Sequence, residues 1–373
     1  MPHLPSTAIS RLLEQLSGLE DPRQQAKVLY PLPEILLLGL AGSLAGADDV
    51  VEMVRWANLN ADFLRRYYPY ARGFPSHDTV SDVFNALNAK LFSELFIRWT
   101  NSLSTEAADL LNIDGKTSRR SGGNGQNPLH LVSAWANQQN LVLGQEATDQ
   151  KSNEITAIPA LLRKLDIEGC LITIDAMGTQ KAIAKQIVDA GGDYLLAVKD
   201  NQKTLADDIT LFFEKPPTGY VLDEDIQVEK DHGRLETRRC RICTDVAWLE
   251  QRQEWAGLAS LICVESWVEK AGKSTYSIRH YIGSLAMTAK AAQYAVRSHW
   301  AVENKLHWVL DVLMREDWAR NRTNHGAHNL AILRHMGTNL LRHDKTNQHS
   351  LKVRRKQAGW STDYLAQLLG QLM

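Results

Sequence analysis

The chain has 373 residues, 44% hydrophobic and 23% charged, with 42 Lys and Arg against 43 Asp and Glu; that length and balance suit about two or three soluble domains. Its longest apolar run, Ile35 to Leu44, is broken by Gly39 and Gly42, falls short of the ~20 residues of a membrane span, and the start (Met1-Pro2-His3-Leu4-Pro5) lacks the regions of a signal peptide. Cys170, Cys240, Cys243 and Cys263 are too few for a disulfide scaffold, which points to a reducing, cytoplasmic setting.

Residues 7 to about 105 read as helical. Ile9, Leu12, Leu13 and Leu16 fall at helical spacing, and an apolar helix follows from Glu34 to Ala45. Asp48-Asp49 opens a helix carrying Val50, Val51, Val54 and Trp56. After the break at Gly73-Phe74-Pro75, Ser76-His77-Asp78 offers N-cap chemistry for a helix with Val80, Val83, Phe84 and Leu87. A turn followed by a capped helix has two readings, a helix-turn-helix for the DNA major groove or an ordinary packing domain.

From Asp109 the pattern changes to strands. Leu110 to Lys116 and Leu171 to Ala176 are short apolar runs that end in carboxylates, Asp114 and Asp175. On neighbouring strands these two would repel unless they share a proton or a cation, and hard oxygen ligands suit Mg2+ or Mn2+. His130 to Ala136 and Leu141 to Glu146 read as a hairpin about Asn137-Gln138-Gln139-Asn140. Ser152 or Asn153 caps a helix to Leu165, a second helix runs from Gln180 to Ala190, and Tyr194 to Val198 forms a fifth strand ending in Lys199-Asp200-Asn201-Gln202. Strands in hairpin succession and then alternating with helices make a mixed α/β sheet.

Residues 203–288 look like a separate β-rich module, with turns at Asp231-His232-Gly233-Arg234 and Ala271-Gly272-Lys273 and basic positions Arg234, Arg238, Arg239 and Arg241. Cys240-Arg241-Ile242-Cys243 has zinc-type spacing but no partner pair. Helix returns from Thr288 to about Leu313, placing His299, Glu303 and His307 on one face. Glu303 there is either a third metal ligand or an exposed carboxylate on an amphipathic helix. A last long helix spans Gly326 to Arg342. Between Arg315 and Lys356, ten cations, including Arg320, Arg322 and Arg334, meet three acids. That is either a nucleic-acid footprint or a solvated helical face.

Asn112-Ile113-Asp114-Gly115-Lys116, Thr173-Ile174-Asp175-Ala176, Leu196 to Gln202, His232-Gly233-Arg234 and Ser298-His299-Trp300-Ala301-Val302-Glu303-Asn304-Lys305-Leu306-His307-Trp308 resemble successive motifs of bacterial H-repeat-associated (ISAs-type) insertion-sequence transposases. So do Leu310-Asp311-Val312 and Arg315-Glu316-Asp317. Asp21-Pro22-Arg23 and Pro75 to Thr79 are similar to the helical domain that accompanies this DDE core. The resemblance implies a ribonuclease-H-like mixed five-stranded sheet with flanking helices, a β-rich insertion and an N-terminal helical domain. The divisions it implies are 1–105, 106–202, 203–288, 289–345 and a basic, helical tail at 346–373.

It further implies a transposase, with Asp114, Asp175 and Glu303 as the catalytic triad holding two Mg2+ or Mn2+ ions. Lys116, Lys199, Arg297, His299, Lys305 and His307 become candidates to support the triad or bind phosphate. Some related enzymes carry Arg four residues before the catalytic Glu and Lys seven after; His299 and Leu310 stand there, with Arg297 and Lys305 as substitutes. Arg234, Arg238, Arg239, Arg241, Arg320, Arg322 and Arg334 are candidates to hold DNA. Double-stranded DNA is the implied partner, bound by a homodimer near the bacterial nucleoid. The alternatives are a catalytically silent or domesticated DNA-binding descendant, a plain nuclease of the same fold, and a non-catalytic interaction protein.

Overall fold

The computed structural model describes residues 8–103, 108–123, 125, 127–148, 153–231 and 233–370. Ser152 and His232, named above as a helix cap and a turn residue, lie outside them.

The helical start is α1 (Ala8–Ser17), α2 (Leu32–Leu44), α3 (Val50–Leu59), α4 (Ala61–Leu64), α5 (His77–Ala86) and α6 (Ala89–Leu103). The capping signals are used as expected. Asp49 accepts from the Glu52 N–H at 2.9 Å, and Ser76 accepts from that of Thr79 at 3.2 Å. α2 is apolar on every side and is correspondingly buried all round. α5 buries Val80, Val83 and Phe84, while Asp78 and Asp82 face outward and the helix holds no Lys or Arg. A phosphate backbone would meet acids there, so the packing reading of this segment is the one the structure favours.

The strands β1 (Leu110–Thr117), β2 (His130–Ala136), β3 (Leu141–Thr148), β4 (Leu171–Ile174) and β5 (Asp193–Val198) are joined after β3 by α7 (Glu154–Leu162) and α8 (Lys181–Asp189). α9 (Lys203–Glu214) then leads into β6 (Asp223–Asp231), β7 (Arg234–Cys243), β8 (Ser260–Lys270) and β9 (Lys273–Gly283). The order is β3-β2-β1-β4-β5-β9-β8-β7-β6 in one sheet. The sheet therefore has nine strands rather than five. The segment expected as a separate module extends it, because β9 pairs antiparallel with β5.

β1 runs parallel to β4, and β4 to β5. Leu111, Ile113, Ile172 and Ile174 bury into a core with Ile158, Ile183 and Ile209, from α7, α8 and α9. Alternation turns Asn112, Asp114 and Thr173 to the opposite face, where α10 (Ala289–Val302) packs. Cys240 and Cys243 are buried free thiols in two different apolar clusters, so their CxxC spacing gathers no ligand set.

The helix expected to run from 288 to 313 is α-helical only to Val302. Beyond it come two π-helical stretches, Glu303–His307 and Val309–Leu313. α11 (Gly326–His343), α12 (Leu351–Trp360) and α13 (Thr362–Gly370) then return to α1 and α2. The stretch expected as a tail is thus folded in. Four of the ten cations between Arg315 and Lys356 are spent on packing. Arg334 is 4% exposed, Arg342 stacks over Trp135 at 4.7 Å, Arg354 donates to Leu341 O and Asp344 O, and Arg355 donates to Ser43 O and Asp48. Arg334 as a DNA contact is therefore corrected.

Candidate active site

Ile113 and Ile174 are partners in the parallel ladder. The next residue of each strand is a carboxylate, so Asp114 and Asp175 stand side by side at the sheet's rim, about one strand spacing (~4.8 Å) apart along the backbone. Asp175 is held by the turn it begins: its Oδ1 accepts from Met177 N at 3.0 Å and Gly178 N at 3.2 Å. The Lys199-Asp200-Asn201-Gln202 run serves that turn. Asn201 donates to Ala176 O at 2.6 Å and Gln202 to Thr179 O at 3.0 Å, which leaves Lys199 exposed beside the cleft.

α10 is seated by His299. Its Nδ1 lies 2.9 Å from Thr173 Oγ1, which also accepts from Asn112 at 2.7 Å. From Thr173 to Asp175 is two strand residues, about 6.6 Å, and from His299 to Glu303 is four helical residues, about 6 Å. α10 also follows β6 along its length, through Ala289 N to Asp223 (2.7 Å), Gln293 to Asp225 (2.9 Å) and Arg297 to Glu229 (2.7 Å). Glu303 accordingly arrives level with the two aspartates. All three carboxylates line one cleft of about 670 Å3, with Lys116, Lys199, Arg279, His299, Trp300 and His307 also in its wall.

The electrostatics reflect burial first and crowding of like charge second. Burial pushes the Asp114 carboxyl up to about 7; the Gly115 N–H on its Oδ1 (2.9 Å) opposes this, and Asp175, Glu154 and Glu303 add to the rise. Burial pulls His299 and His307 down to about 4, so both imidazoles are neutral near pH 7. His307 Nδ1 is 3.6 Å from Asp114 Oδ2, so this ring faces the first carboxylate rather than orienting Glu303.

Among the described residues no three His, Cys, Asp or Glu side chains converge tightly enough to cage an ion. The donor set still fits a hard divalent cation, since it offers carboxylate oxygens, and a cation would offset the burial and the like-charge crowding that raise the Asp114 carboxyl.

Other candidates lie elsewhere. Arg297 pairs with Glu229 outside the cleft. It lines a second groove of about 1230 Å3 with Arg234, Arg238, Lys270, Arg279, Tyr294, Trp300 and Lys305. Arg279 sits 4.4 Å over the Trp300 ring, and both residues border the cleft and the groove. Within the groove, Arg234 and Arg238 pair with Glu236 at 2.6 and 2.7 Å. Arg239 and Arg241 alternate to the other face of β7. There Arg239 pairs with Glu224, and Arg241 stacks over Phe213 and bonds its carbonyl. Arg241 is thus a packing residue rather than a DNA contact. Arg320 and Arg322 are exposed, and Arg322 donates to Arg120 O.

Two buried groups at the rim carried no sequence signal. His130 and Glu154, both buried, pair at 2.6 Å, and Thr117 Oγ1 lies 2.7 Å from His130 Nδ1. Lys116 is engaged by Asp311 and Glu316, each at 2.7 Å. Arg279 and Trp300 are joined only by the fold.

The family profile described as Transposase DDE domain matches residues 105–340, and the profile described as DDE_Tnp_1-associated matches 13–100. The "H repeat-associated putative transposase YhhI" of Escherichia coli (strain K12) is 38% identical over 97% of this chain and 98% of its own. The "Putative transposase YncI" of Escherichia coli O157:H7 is 39% identical over 97% of this chain and 95% of its own. Among solved structures, a piggyBac transposase synaptic complex with hairpin DNA aligns over 96% of this chain and 79% of its own, with a TM-score of 0.46 and 11% identity.

Proposed function

The chain belongs to the DDE transposase family, and from that premise we propose that it cuts DNA at the ends of an insertion sequence and joins the freed 3′-hydroxyls to target DNA. The observation that carries this reading is the meeting of Asp114, Asp175 and Glu303, from β1, the turn after β4 and the end of α10, in a single cleft. We take the order β3-β2-β1-β4-β5 as the ribonuclease-H-like core and β6 to β9 as its insertion.

Two Mg2+ or Mn2+ ions, when bound, would activate water or a 3′-hydroxyl and stabilise the departing oxygen. Asp114, Asp175 and Glu303 would hold them. Asp175 offers Oδ2, because Oδ1 is engaged by its turn. Lys199, exposed at the tip of β5, is the fixed cation best placed to meet the scissile phosphate. No protein nucleophile is needed. The groove beside α10, with six cations set against Glu229 and Glu236, leads DNA to the cleft past Trp300. A homodimer on DNA would present two such clefts to two element ends.

The test is Asp175→Asn. The variant is expected to lose Mg2+-dependent cleavage of an end-sequence duplex by at least about a thousandfold and to keep its DNA affinity. Normal cleavage by the variant would sink the site assignment. DNA binding without cleavage or joining by the wild-type chain would favour a silent descendant, and cleavage without joining a plain nuclease.

A further inference from the structure

Lys116 lies two residues beyond Asp114, on the same face of β1. Its Nζ is 2.7 Å from Asp311 Oδ1, 2.7 Å from Glu316 Oε2 and 3.5 Å from Asp317 Oδ1. The lysine side chain is 10% exposed and that of Glu316 only 3%. A cation already surrounded by three carboxylates brings no net positive charge to a phosphate, so the phosphate-binding role suggested by its place in the sequence does not fit.

Its partners share one location. Asp311 lies in the second π-helical stretch, and Glu316 and Asp317 lie in the short turn after Arg315, whose φ is +50°. Asp317 also accepts from Arg119 N at 3.1 Å, a second tie to the end of β1. At its other end the π-helical segment follows directly from α10, which His299 seats on Thr173. The segment bearing Glu303 is therefore fastened to β4 before it and to β1 after it. A π turn is wider than an α turn and rare outside functional sites, so ten residues of it need fixed ends to keep their register.

We propose that Lys116 is a positioning residue: with Asp311 and Glu316 it clasps the π-helical segment to the strand that carries Asp114 and so sets Glu303 against Asp114. The inference rests on the three-carboxylate reading above.

The test uses the full chain and Mn2+ alone, with bound ion counted by electron paramagnetic resonance, beside affinity for an end-sequence duplex. Lys116→Met alone would strand a buried carboxylate, so it is paired with Glu316→Gln. That double variant is expected to bind Mn2+ about tenfold more weakly, the loss typical of groups that orient metal ligands, with DNA affinity unchanged. Lys116→Arg should restore most of the ion affinity. Asp311→Asn loosens the half-exposed edge of the clasp without burying a charge, and a smaller loss than in the double variant is expected there. Unchanged Mn2+ affinity in Asp311→Asn overturns the proposal. So does a loss of DNA affinity alone, which would make Lys116 a phosphate ligand, or a lowered melting temperature alone, which would make the clasp structural. A wild-type chain that binds no more Mn2+ than Asp175→Asn would instead defeat the proposed function.

Discussion

A methyl group at position 115 has no room. A Cβ there would lie 2.2 Å from Glu154 Oε1 and 2.6 Å from His130 Nε2, the two halves of a buried pair. Gly115→Ala must therefore force the pair apart, and is expected to cost about 1–3 kcal/mol of stability. Urea denaturation of the two proteins measures this, and a difference under about 0.5 kcal/mol would mean the pair yields freely. Asp114 and Asp175 were legible beforehand because a carboxylate closing a short apolar run needs only local pattern. The reason for Gly115 was not, since His130 and Glu154 come from β2 and α7. Lys116 shows the same limit: Glu316 lies 200 residues away, so its carboxylate partners are beyond the reach of any local pattern.

At the scale of elements, the seat of α10 on the sheet decides where Glu303 arrives. Thr173 and His299 form that seat, so their contributions should not add. A double-mutant cycle of Thr173→Val and His299→Ala is expected to show about 0.5–3 kcal/mol of coupling in denaturation, with cleavage reduced in each single variant while DNA affinity holds. Additive losses would show that α10 is held by its other contacts. The four-residue spacing of His299, Glu303 and His307 puts them on one helical face, and all three line the cleft. It did not foretell the π turns. Leu306, Val309, Leu310 and Met314 are buried, and their intervals of three and four mark an inward face without distinguishing a 3.6-residue turn from a wider one. Turn width here depends on what fastens the ends.

Across the whole molecule, polar side chains tie α11 to β3 and to the end of α5. Asn339 exchanges two bonds with the Val142 backbone, Asn329 donates to Phe84 O and Leu87 O, and His335 contacts Gln145. The basic count from 315 to 356 suggested an exposed nucleic-acid face because counting charges does not report burial, and Arg334 and Arg355 lie inside. The same burial makes the fold acid-sensitive. His335 is 1% exposed, and burial pulls it down to about 4 from 6.5, with Glu316 opposing and Lys116 and Arg334 reinforcing the shift. His280, His299, His307, His328 and His343 are lowered too, each by burial first. The unfolded chain therefore takes up protons between pH 6.5 and 4 that the folded chain refuses. The histidines' share of the stability should be complete above about pH 6.5 and fall as pH drops toward 4, each adding up to about 1.4 kcal/mol per pH unit, while Asp114, raised to about 7, acts in the opposite sense over the same window. Glu316, whose carboxyl burial raises but Lys116 and Arg334 bring below its ordinary 4.5, adds its loss only at lower pH. In His335→Gln the slope of unfolding free energy against pH over this window should be shallower by about one proton, whatever the variant's absolute stability. Equal slopes in the two proteins would mean that His335 is already protonated in the fold, and that the contact between α11 and β3 is charged.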